Sequence, residues 1–361
     1  MTEREIWFWL VNANGVGNKR IALLLQHFGN IRAIYEASSK AILQVPGIGE
    51  RCMEGLLREK AYFKRKYDRL NQLGISFILK EDDIYPEKLR VLPDAPVALY
   101  VRGKLPDRDK KCIAVVGARN CSEYGREMAH WFARELSKAG MQVVSGMARG
   151  IDGYAHSGAI EGGNPTYAVL GSGIDVCYPE EHSGLYDAMV QHGGVISEYG
   201  LGVHALSGQF PMRNRIISGL CEGILVIEAK EKSGSLITAD IGLEQGKDIF
   251  AVPGRVGDRL SQGCNNLIKM GAYLVEEPAD ILQNYHYAED VIKKDWKKNN
   301  YMLETKEKIV YANLSYNPKH INELIIDTNY SLNEIMECLV SLELKGYIRQ
   351  TMKNYYILCN D

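Results

Sequence analysis

Residues 112–120 read CIAVVGARN, and residues 142–150 read QVVSGMARG. In each stretch a short apolar run ends in a glycine turn that carries an arginine, Arg119 in the first and Arg149 in the second. The segment Tyr124–Ala139 between them repeats its apolar residues at helical spacing. Strand, tight turn, helix and second strand make a βαβ unit, so this region predicts a parallel sheet with helices on both faces.

The same alternation extends over residues 75–285. It predicts an α/β fold, with a Rossmann-like domain whose mostly parallel sheet is extended by a strand or two on its N-terminal side. The predicted strands are Ile75–Leu79, Val97–Val101, Ile113–Val116, Gln142–Ser145, Tyr167–Leu170, Val195–Ser197, Ile224–Glu228 and Ile249–Val252.

Residues 1–72 contain two similar glycine turns, NGVGNK at 14–19 and VPGIGE at 45–50, each followed by an amphipathic helix. A G-x-G turn lets the backbone N–H groups at a helix start face a phosphate, because no side chain blocks the approach. The region predicts short helices arranged as a helix-hairpin-helix (SAM-like) domain. Its glycine turns either bind a DNA backbone or only close a small helical bundle.

The C-terminal part divides into a linker and a small domain. Residues 286–304 are charged and lack periodicity, which predicts a linker. Residues 305–361 predict three helices and a hairpin, the pattern of a winged helix. Its recognition helix carries Glu334, Glu337 and Glu343, which repel phosphates. A role in protein contact or packing is therefore favoured over duplex reading.

Composition narrows the classes of protein. The 361 residues carry a formal net charge of −2. The N-terminus lacks the basic start and apolar run of a signal peptide, and no segment reaches the roughly 18 apolar residues of a membrane helix. The eight cysteines occur singly, without a C-x-x-C pair, so neither zinc nor a disulfide framework is predicted. We expect a cytoplasmic protein with no metal, no cofactor and no membrane partner.

Four turns rich in glycine or serine should meet at the carboxyl edge of the sheet, where α/β folds bind ligands. Helix starts at such turns favour anions through their free N–H groups and positive dipole ends. With Arg119 and Arg149 in two of these turns, the edge predicts a phosphate-binding crevice. The four turns are 117–120, 145–150, 171–175 and 233–235.

The stretch QFPMRNR at 209–215, placed before a predicted helix at Ile216–Cys221, adds an aromatic ring to these charges. Arginines for phosphates and a ring for stacking suit a single strand of nucleic acid. In the alternative interpretation, Phe210 belongs to the core and one arginine pairs with a carboxylate such as Asp152 or Glu198. No standard catalytic signature is found, and His156 and His182 are interpreted as structural.

These motifs resemble the DNA-processing protein A (DprA/Smf) family. The resemblance covers most of residues 80–280 in order and spacing. It is carried by GAR at 117–119, SGMARGIDGYAH at 145–156, GSGIDVCYP at 171–179, FPMRNRIISGL at 210–220, SGSLITA at 233–239 and GCNNLIKMGA at 263–272.

The resemblance implies a non-catalytic protein that binds single-stranded DNA, forms a homodimer and delivers DNA to a RecA-type recombinase in DNA uptake or recombination. It implies a dimer surface at Asn265, Ile268 and Leu274, and a recombinase contact at Asp240, Leu243 and Asp248. The implied DNA-binding residues are Gly117, Arg119, Ser145, Gly146, Arg149, Gly171, Gly173, Phe210, Arg213, Asn214 and Arg215.

One departure and one rival remain. After Pro179, where the family often has a basic or amide residue, this chain has Glu180 and Glu181, which puts a phosphate contact there in doubt. The rival is a phosphoribohydrolase of nucleoside monophosphates, which shares the glycine-lined crevice. Such enzymes usually carry a P-G-G-x-G-T-x-x-E loop, whereas residues 228–235 read EAKEKSGS.

Overall fold

The computed structural model describes residues 1–287 and 303–359. Most of the predicted linker, 286–304, therefore lies outside the described residues. Nine strands form one sheet in the order β1-β2-β6-β5-β4-β3-β7-β8-β9. The strands are β1 (Ile75–Leu79), β2 (Ala98–Gly103), β3 (Cys112–Val116), β4 (Gln142–Ser145), β5 (Thr166–Gly173), β6 (Gly193–Tyr199), β7 (Gly223–Val226), β8 (Asp248–Ala251) and β9 (Tyr273–Leu274).

The sheet is parallel from β6 to β9, while β2 pairs antiparallel with both β1 and β6. The chain runs outward from β3 through β4 and β5 to β6, then returns past β3 to add β7, β8 and β9. The predicted α/β fold, with an extended Rossmann-like sheet, is thus confirmed. The order reverses between β3 and β7, and such a reversal opens a crevice at the carboxyl ends of the strands.

Helices cover both faces, and alternate residues of the central strands enter different apolar clusters. Ile113 and Val115 of β3 pack with the helices that follow β3 and β4, whereas Ala114 and Val116 pack with those that follow β6 and β7. The helices of this region are α6 (Glu87–Arg90), α7 (Glu123–Lys138), α8 (Ile151–Gly162), α9 (Ser183–His192), α10 (Gln209–Leu220), α11 (Gly234–Glu244), α12 (Gln262–Lys269) and α13 (Pro278–Asn284).

The N-terminal helices share a core with the sheet. Phe8 meets Phe77 of β1 and Tyr100 of β2, with ring centroids 5.4 and 6.1 Å away. The last N-terminal helix spans 23 residues, so the prediction of short helices fails there. The division into domains at residues 72–75 stays a prediction, because one apolar cluster spans it. The helices are α1 (Glu3–Asn12), α2 (Asn18–Phe28), α3 (Ile31–Glu36), α4 (Ser39–Leu43) and α5 (Glu50–Gln72).

The C-terminal residues form the predicted winged helix. Its elements are α14 (Thr305–Ala312), β10 (Lys319–His320), α15 (Ile321–Thr328), α16 (Leu332–Leu344), β11 (Ile348–Met352) and β12 (Tyr355–Leu358). Arg349 of β11 pairs with Glu123 and Glu127 of α7. On the recognition helix α16, Leu332, Met336 and Val340 are exposed at i, i+4 spacing. None of the described helices is both long and apolar enough to cross a membrane.

The helices α7 and α8 pack closely against each other, and their contact depends on a glycine. A Cβ at Gly158 would lie 2.1 Å from the carbonyl oxygen of His130. We therefore expect Gly158→Ala to lower the free energy of unfolding by about 1–3 kcal/mol, through forced separation of the two helices. Gly184→Ala, in α9, is the control, because no atom lies within 4 Å of the added Cβ. It should raise that free energy by up to about 1 kcal/mol. Urea unfolding measures both, and equal effects would contradict the prediction.

His156 is buried in α8 with a fixed tautomer. The Thr166 hydroxyl donates to the Val143 carbonyl at 2.9 Å, so it accepts from Nδ1 of His156 at 2.7 Å. Nε2 then carries no proton, and it has no hydrogen-bond partner among the described residues. Burial, reinforced by nearby His182 and Arg213, lowers the pKa of His156 from 6.5 to about 3.

This pKa predicts how stability responds to acid. The unfolded His156 takes up a proton near pH 6.5 and the folded one only near pH 3. Its contribution is therefore complete above pH 6.5 and is lost as the pH falls towards 3. In His156→Gln the free energy of unfolding should fall less steeply with acid, by up to about 1.4 kcal/mol per pH unit. Urea unfolding across this range tests it, with Gly184→Ala as a control that changes no titratable group. An unaltered slope in His156→Gln would disprove the assignment.

Candidate nucleic-acid interface

The two turns that carry arginines pack against each other at the carboxyl edge of the sheet. Gly150 has a φ of 73°, and a Cβ there would lie 2.3 Å from the carbonyl oxygen of Ala118. That oxygen accepts a hydrogen bond from the backbone N–H of Ile151 at 3.2 Å. The turns after β3 and β4 therefore form one surface, on which Arg119 is exposed.

An aromatic pair lies beside Arg119. Phe210, in the first turn of α10, rests on Gly171 at the end of β5, where a Cβ would lie 2.8 Å from the ring. Tyr178 lies 5.7 Å from Phe210 between ring centroids, at an angle of 38°. The guanidinium carbon of Arg119 stands 5.0 Å from the Phe210 centroid. Phe210 is partly exposed and Tyr178 is 47% exposed. We call Phe210, Tyr178 and Arg119 the platform.

Arg213 lies beneath this surface and is only 5% exposed. Its guanidinium donates to the carbonyl of Gly146 at 2.8 Å and to that of Val169. Nearby, the Asp152 carboxylate accepts from the backbone N–H of Gly146 at 3.1 Å. Burial lowers the pKa of Arg213 to about 10, with Asp152 opposing the shift. Burial raises the pKa of Asp152, although Arg213 and the N–H groups partly offset it. Arg213 thus supports the glycine turns from inside.

Arg215 and Asn214 are also buried. Arg215 donates to Glu198 at 2.5 Å and to the backbone carbonyl of Asp94 at 2.6 Å. The pairing of Arg215 with Glu198 is one of the alternatives left open by the sequence. Asn214 accepts from Nε of Arg213 at 3.1 Å. The helix begins at Gln209 and not at Ile216 as predicted, because Pro211 fits a first helical turn, where its missing N–H costs nothing. Residues 213–215 therefore lie in the second turn of α10, where all three are buried.

Three of the remaining crevice residues pack against neighbouring parts of the chain. Ser145 is buried and donates to the Val115 carbonyl at 2.6 Å. Gly173 approaches Gly200, whose carbonyl oxygen would lie 2.5 Å from an added Cβ. Gly117 leaves no room either, with Ile151 at 2.6 Å. These residues shape the edge but present no side chain to a ligand.

Arg149 is exposed, but it is paired with Glu181, one of the two residues by which this chain departs from the family pattern. Its guanidinium donates to both oxygens of Glu181, at 2.6 and 2.8 Å. The hydrogen bonds and the charge of Arg149 lower the pKa of Glu181. The carboxylate therefore stays ionised and occupies the face of the guanidinium that would otherwise take a phosphate.

Glu228 opens the stretch that replaces the loop of the phosphoribohydrolases. It is 3% exposed and accepts from the backbone N–H and the hydroxyl of Ser122, at 2.8 and 2.5 Å. Burial raises its pKa. Its carboxylate is thus engaged at the N-terminal cap of α7.

His182, also interpreted as structural, contacts the carbonyl of Met147 through Nδ1 at 3.0 Å.

The residues that the resemblance implies for protein contacts lie on α11, α12, β8 and β9. Leu274 on the terminal strand is 48% exposed, whereas Ile268 packs partly against its own core. Asn265 makes two hydrogen bonds to Gly254, at 3.0 and 3.1 Å. Asp240 and Leu243 are exposed on α11. Asp248 accepts a hydrogen bond from Tyr285 at 3.0 Å.

Sequence reasoning missed Tyr178 as a member of the platform. The residue was visible only as part of the motif GSGIDVCYP at 171–179, and it lies five residues beyond the end of β5. The chain returns to the sheet edge after this loop, and that return brings Tyr178 to Phe210. Local spacing does not reveal such a return.

The comparisons with known proteins agree with this architecture. The profile of the family described as DNA recombination-mediator protein A matches residues 76–286, and that of the DprA winged helix domain matches residues 300–351. The chain is 34% identical to protein Smf of Escherichia coli (strain K12), over 98% of this chain and 96% of Smf. It is 39% identical to DNA processing protein DprA of Streptococcus pneumoniae, over 69% of this chain and 94% of that protein.

Solved structures give the same result. The X-ray structure of DNA processing protein A from Streptococcus pneumoniae superimposes with a TM-score of 0.67 at 36% identity, over 78% of this chain and 98% of that one. DNA processing protein A from Helicobacter pylori, described with a single-stranded DNA binding mode, superimposes with a TM-score of 0.53 at 27% identity, over 58% of this chain and 95% of that one. The chain therefore belongs to the DNA recombination-mediator protein A (DprA/Smf) family.

Proposed function

We propose that this protein acts in DNA processing by binding single-stranded DNA at the platform. The observation that carries the proposal is the exposed arrangement of Phe210, Tyr178 and Arg119 at the carboxyl edge of the sheet. Rings offer faces on which bases stack, and the guanidinium attracts the phosphate between them. The single-stranded DNA binding mode described for the Helicobacter pylori relative supports the same ligand.

The chemistry of the platform favours single strands over duplex. In a duplex the base faces are covered by neighbouring pairs, so the rings of Phe210 and Tyr178 have nothing to stack on. A single strand exposes those faces. We propose that Arg213, Asn214 and Arg215 support the structure rather than touch DNA, because all three are buried: Arg213 is bonded to Gly146 in a glycine turn, Asn214 to Arg213, and Arg215 to Glu198.

We propose a binding protein rather than an enzyme. The alternative function, a phosphoribohydrolase of nucleoside monophosphates, requires a glutamate that acts on the ribose. Glu228 opens the stretch in question, and its two oxygens are already engaged by Ser122. Incubation of the purified protein with nucleoside monophosphates, followed by chromatography for free base, tests this; release of base would reject the non-catalytic role.

Two protein partners complete the proposal. The exposed face of α11, with Asp240 and Leu243, is the proposed contact for a RecA-type recombinase that receives the DNA in uptake or recombination. The end of the sheet at β9 is the proposed homodimer surface, because Leu274 and Tyr273 are half-exposed beside the more exposed Met270. We place these events in the cytoplasm.

The platform can be tested by two substitutions that act through different forces. Phe210→Leu keeps an apolar side chain but removes the π-face, and should weaken binding of a single-stranded oligonucleotide by roughly 1–3 kcal/mol with little change in salt dependence. Arg119→Gln should reduce the slope of log K against log salt by about 0.7, because one phosphate contact is lost.

The control for charge is Arg108→Gln, since Arg108 is exposed before β3, at the opposite edge of the sheet. Fluorescence anisotropy over a salt series, with single-stranded and duplex oligonucleotides of the same sequence, provides the measurement. Parent-like binding by folded Phe210→Leu and Arg119→Gln, or equal affinity for duplex, would count against the platform.

The dimer surface predicts a separate effect on assembly. Leu274→Arg introduces a charge at a half-exposed apolar position, and should convert a dimer to a monomer without unfolding the chain. Binding to a long single strand should weaken as well, because two linked platforms raise the effective concentration. Val256→Arg, at a position 99% exposed in the loop after β8, is the control. Light scattering decides: a Leu274→Arg variant that remains a folded dimer places the interface elsewhere.

A further inference from the structure

A groove opens beside Arg119, between α7, α8 and the segment before α9. Its volume is about 520 Å³, and Arg119, Arg126, Arg149, Tyr154 and Glu181 are among the residues that line it. Pockets of 300–1,000 Å³ hold small ligands such as nucleotides. Arg119 belongs both to this groove and to the platform, so the two form a continuous surface.

The groove repeats the combination of ring and cation found on the platform. The guanidinium carbon of Arg126 lies 5.6 Å from the centroid of the Tyr154 ring. Tyr154 is 37% exposed, and Arg126 is also exposed while Glu123 holds it at 3.2 Å. Neither Tyr154 nor Arg126 is used by the platform. A ring and a guanidinium in an open groove suit a base with its phosphate, as on the platform.

A carboxylate restrains the third arginine of the groove. Arg149 and Glu181 form a two-pronged pair, although both side chains are more than half exposed. A guanidinium binds a carboxylate and a phosphate with the same parallel geometry, so the two compete for it. Exposed ion pairs of this kind contribute little to stability. Replacing Glu181 by a phosphate at Arg149 therefore loses little free energy.

We propose that a single strand bound at the platform continues past Arg119 into this groove, where Tyr154 stacks a further base and Arg126 contacts a phosphate. In the same groove Glu181 competes with the DNA for Arg149 and so weakens binding. The inference rests on the proposed function, since it extends the same strand. It assigns DNA contacts to Tyr154 and Arg126 and an inhibitory role to the carboxylate of Glu181. The platform requires none of these residues.

The experiment compares single-stranded oligothymidylates of increasing length on the full chain. Tyr154→Ala should leave binding of the shortest oligonucleotide unchanged, because that one occupies only the platform. It should weaken binding of longer ones by about 5- to 150-fold, the loss of one stacked base. Tyr154→Phe keeps the ring and should bind like the parent. Arg126→Gln should reduce the salt slope for long oligonucleotides by about 0.7.

Glu181 supplies a test in the opposite direction. Glu181→Gln should raise affinity for long oligonucleotides and steepen the salt slope by about 0.7, because Arg149 is released for a phosphate. In an Arg149→Gln background the same change should have no effect. A gain of affinity cannot arise from misfolding, so this arm remains informative even if Tyr154→Ala is unstable in thermal unfolding.

The outcomes separate the two proposals. If Phe210→Leu weakens binding while Tyr154→Ala and Glu181→Gln match the parent at every length, the platform stands and the groove is rejected. If Glu181→Gln gains affinity equally in the Arg149→Gln background, the competition for Arg149 is rejected. If the parent binds no single strand at all, the proposed function itself fails, and the groove with it.

Discussion

The buried guanidinium of Arg213 is the contact on which the candidate site depends. It joins the turn after β4, through Gly146, to β5, through Val169, and it comes from the second turn of α10. A guanidinium can donate in several directions at once, so one side chain fixes three elements. Because Phe210 precedes Arg213 by one helical turn, the same anchor sets the position of the exposed ring. A charge in the interior therefore positions the surface at which we propose that DNA binds.

Much of this architecture could be read from the sequence. The eight predicted strands, the order of helices between them and the winged helix follow from local periodicity and from turn residues, which are properties of neighbouring positions. The carboxyl-edge turns follow from topology, since every parallel strand ends at the same edge. The family motifs point to the same edge. These features are local or are fixed by the handedness and direction of the chain.

The misses are long-range. The sequence left open whether Arg213 or Arg215 is buried, because Glu198 lies 17 residues from Arg215 and the partners of Arg213 are the backbone carbonyls of Gly146 and Val169. The sequence did not predict the start of α10 at Gln209, because the first turn contains Pro211 and the apolar pattern of the helix begins only at Ile216. The pairing of Arg149 with Glu181 spans 32 residues. For these charged side chains, the tertiary structure determines whether the charge is exposed to solvent or contacts another residue. The neighbouring residues in sequence do not.

The antiparallel pairing of β2 with β6 has a consequence for synthesis. β2 ends at Gly103, but its partner β6 begins only at Gly193, after β3, β4 and β5 have been made. The N-terminal helices bury Phe8 against β1 and β2, in a cluster completed by Met189 and Val195. A nascent chain emerging from the ribosome thus holds an unfinished core and an unpaired strand edge while residues 104–193 are made. The core around the first helices is therefore completed only after Val195 has been made, although the helices themselves are the first part of the chain to emerge.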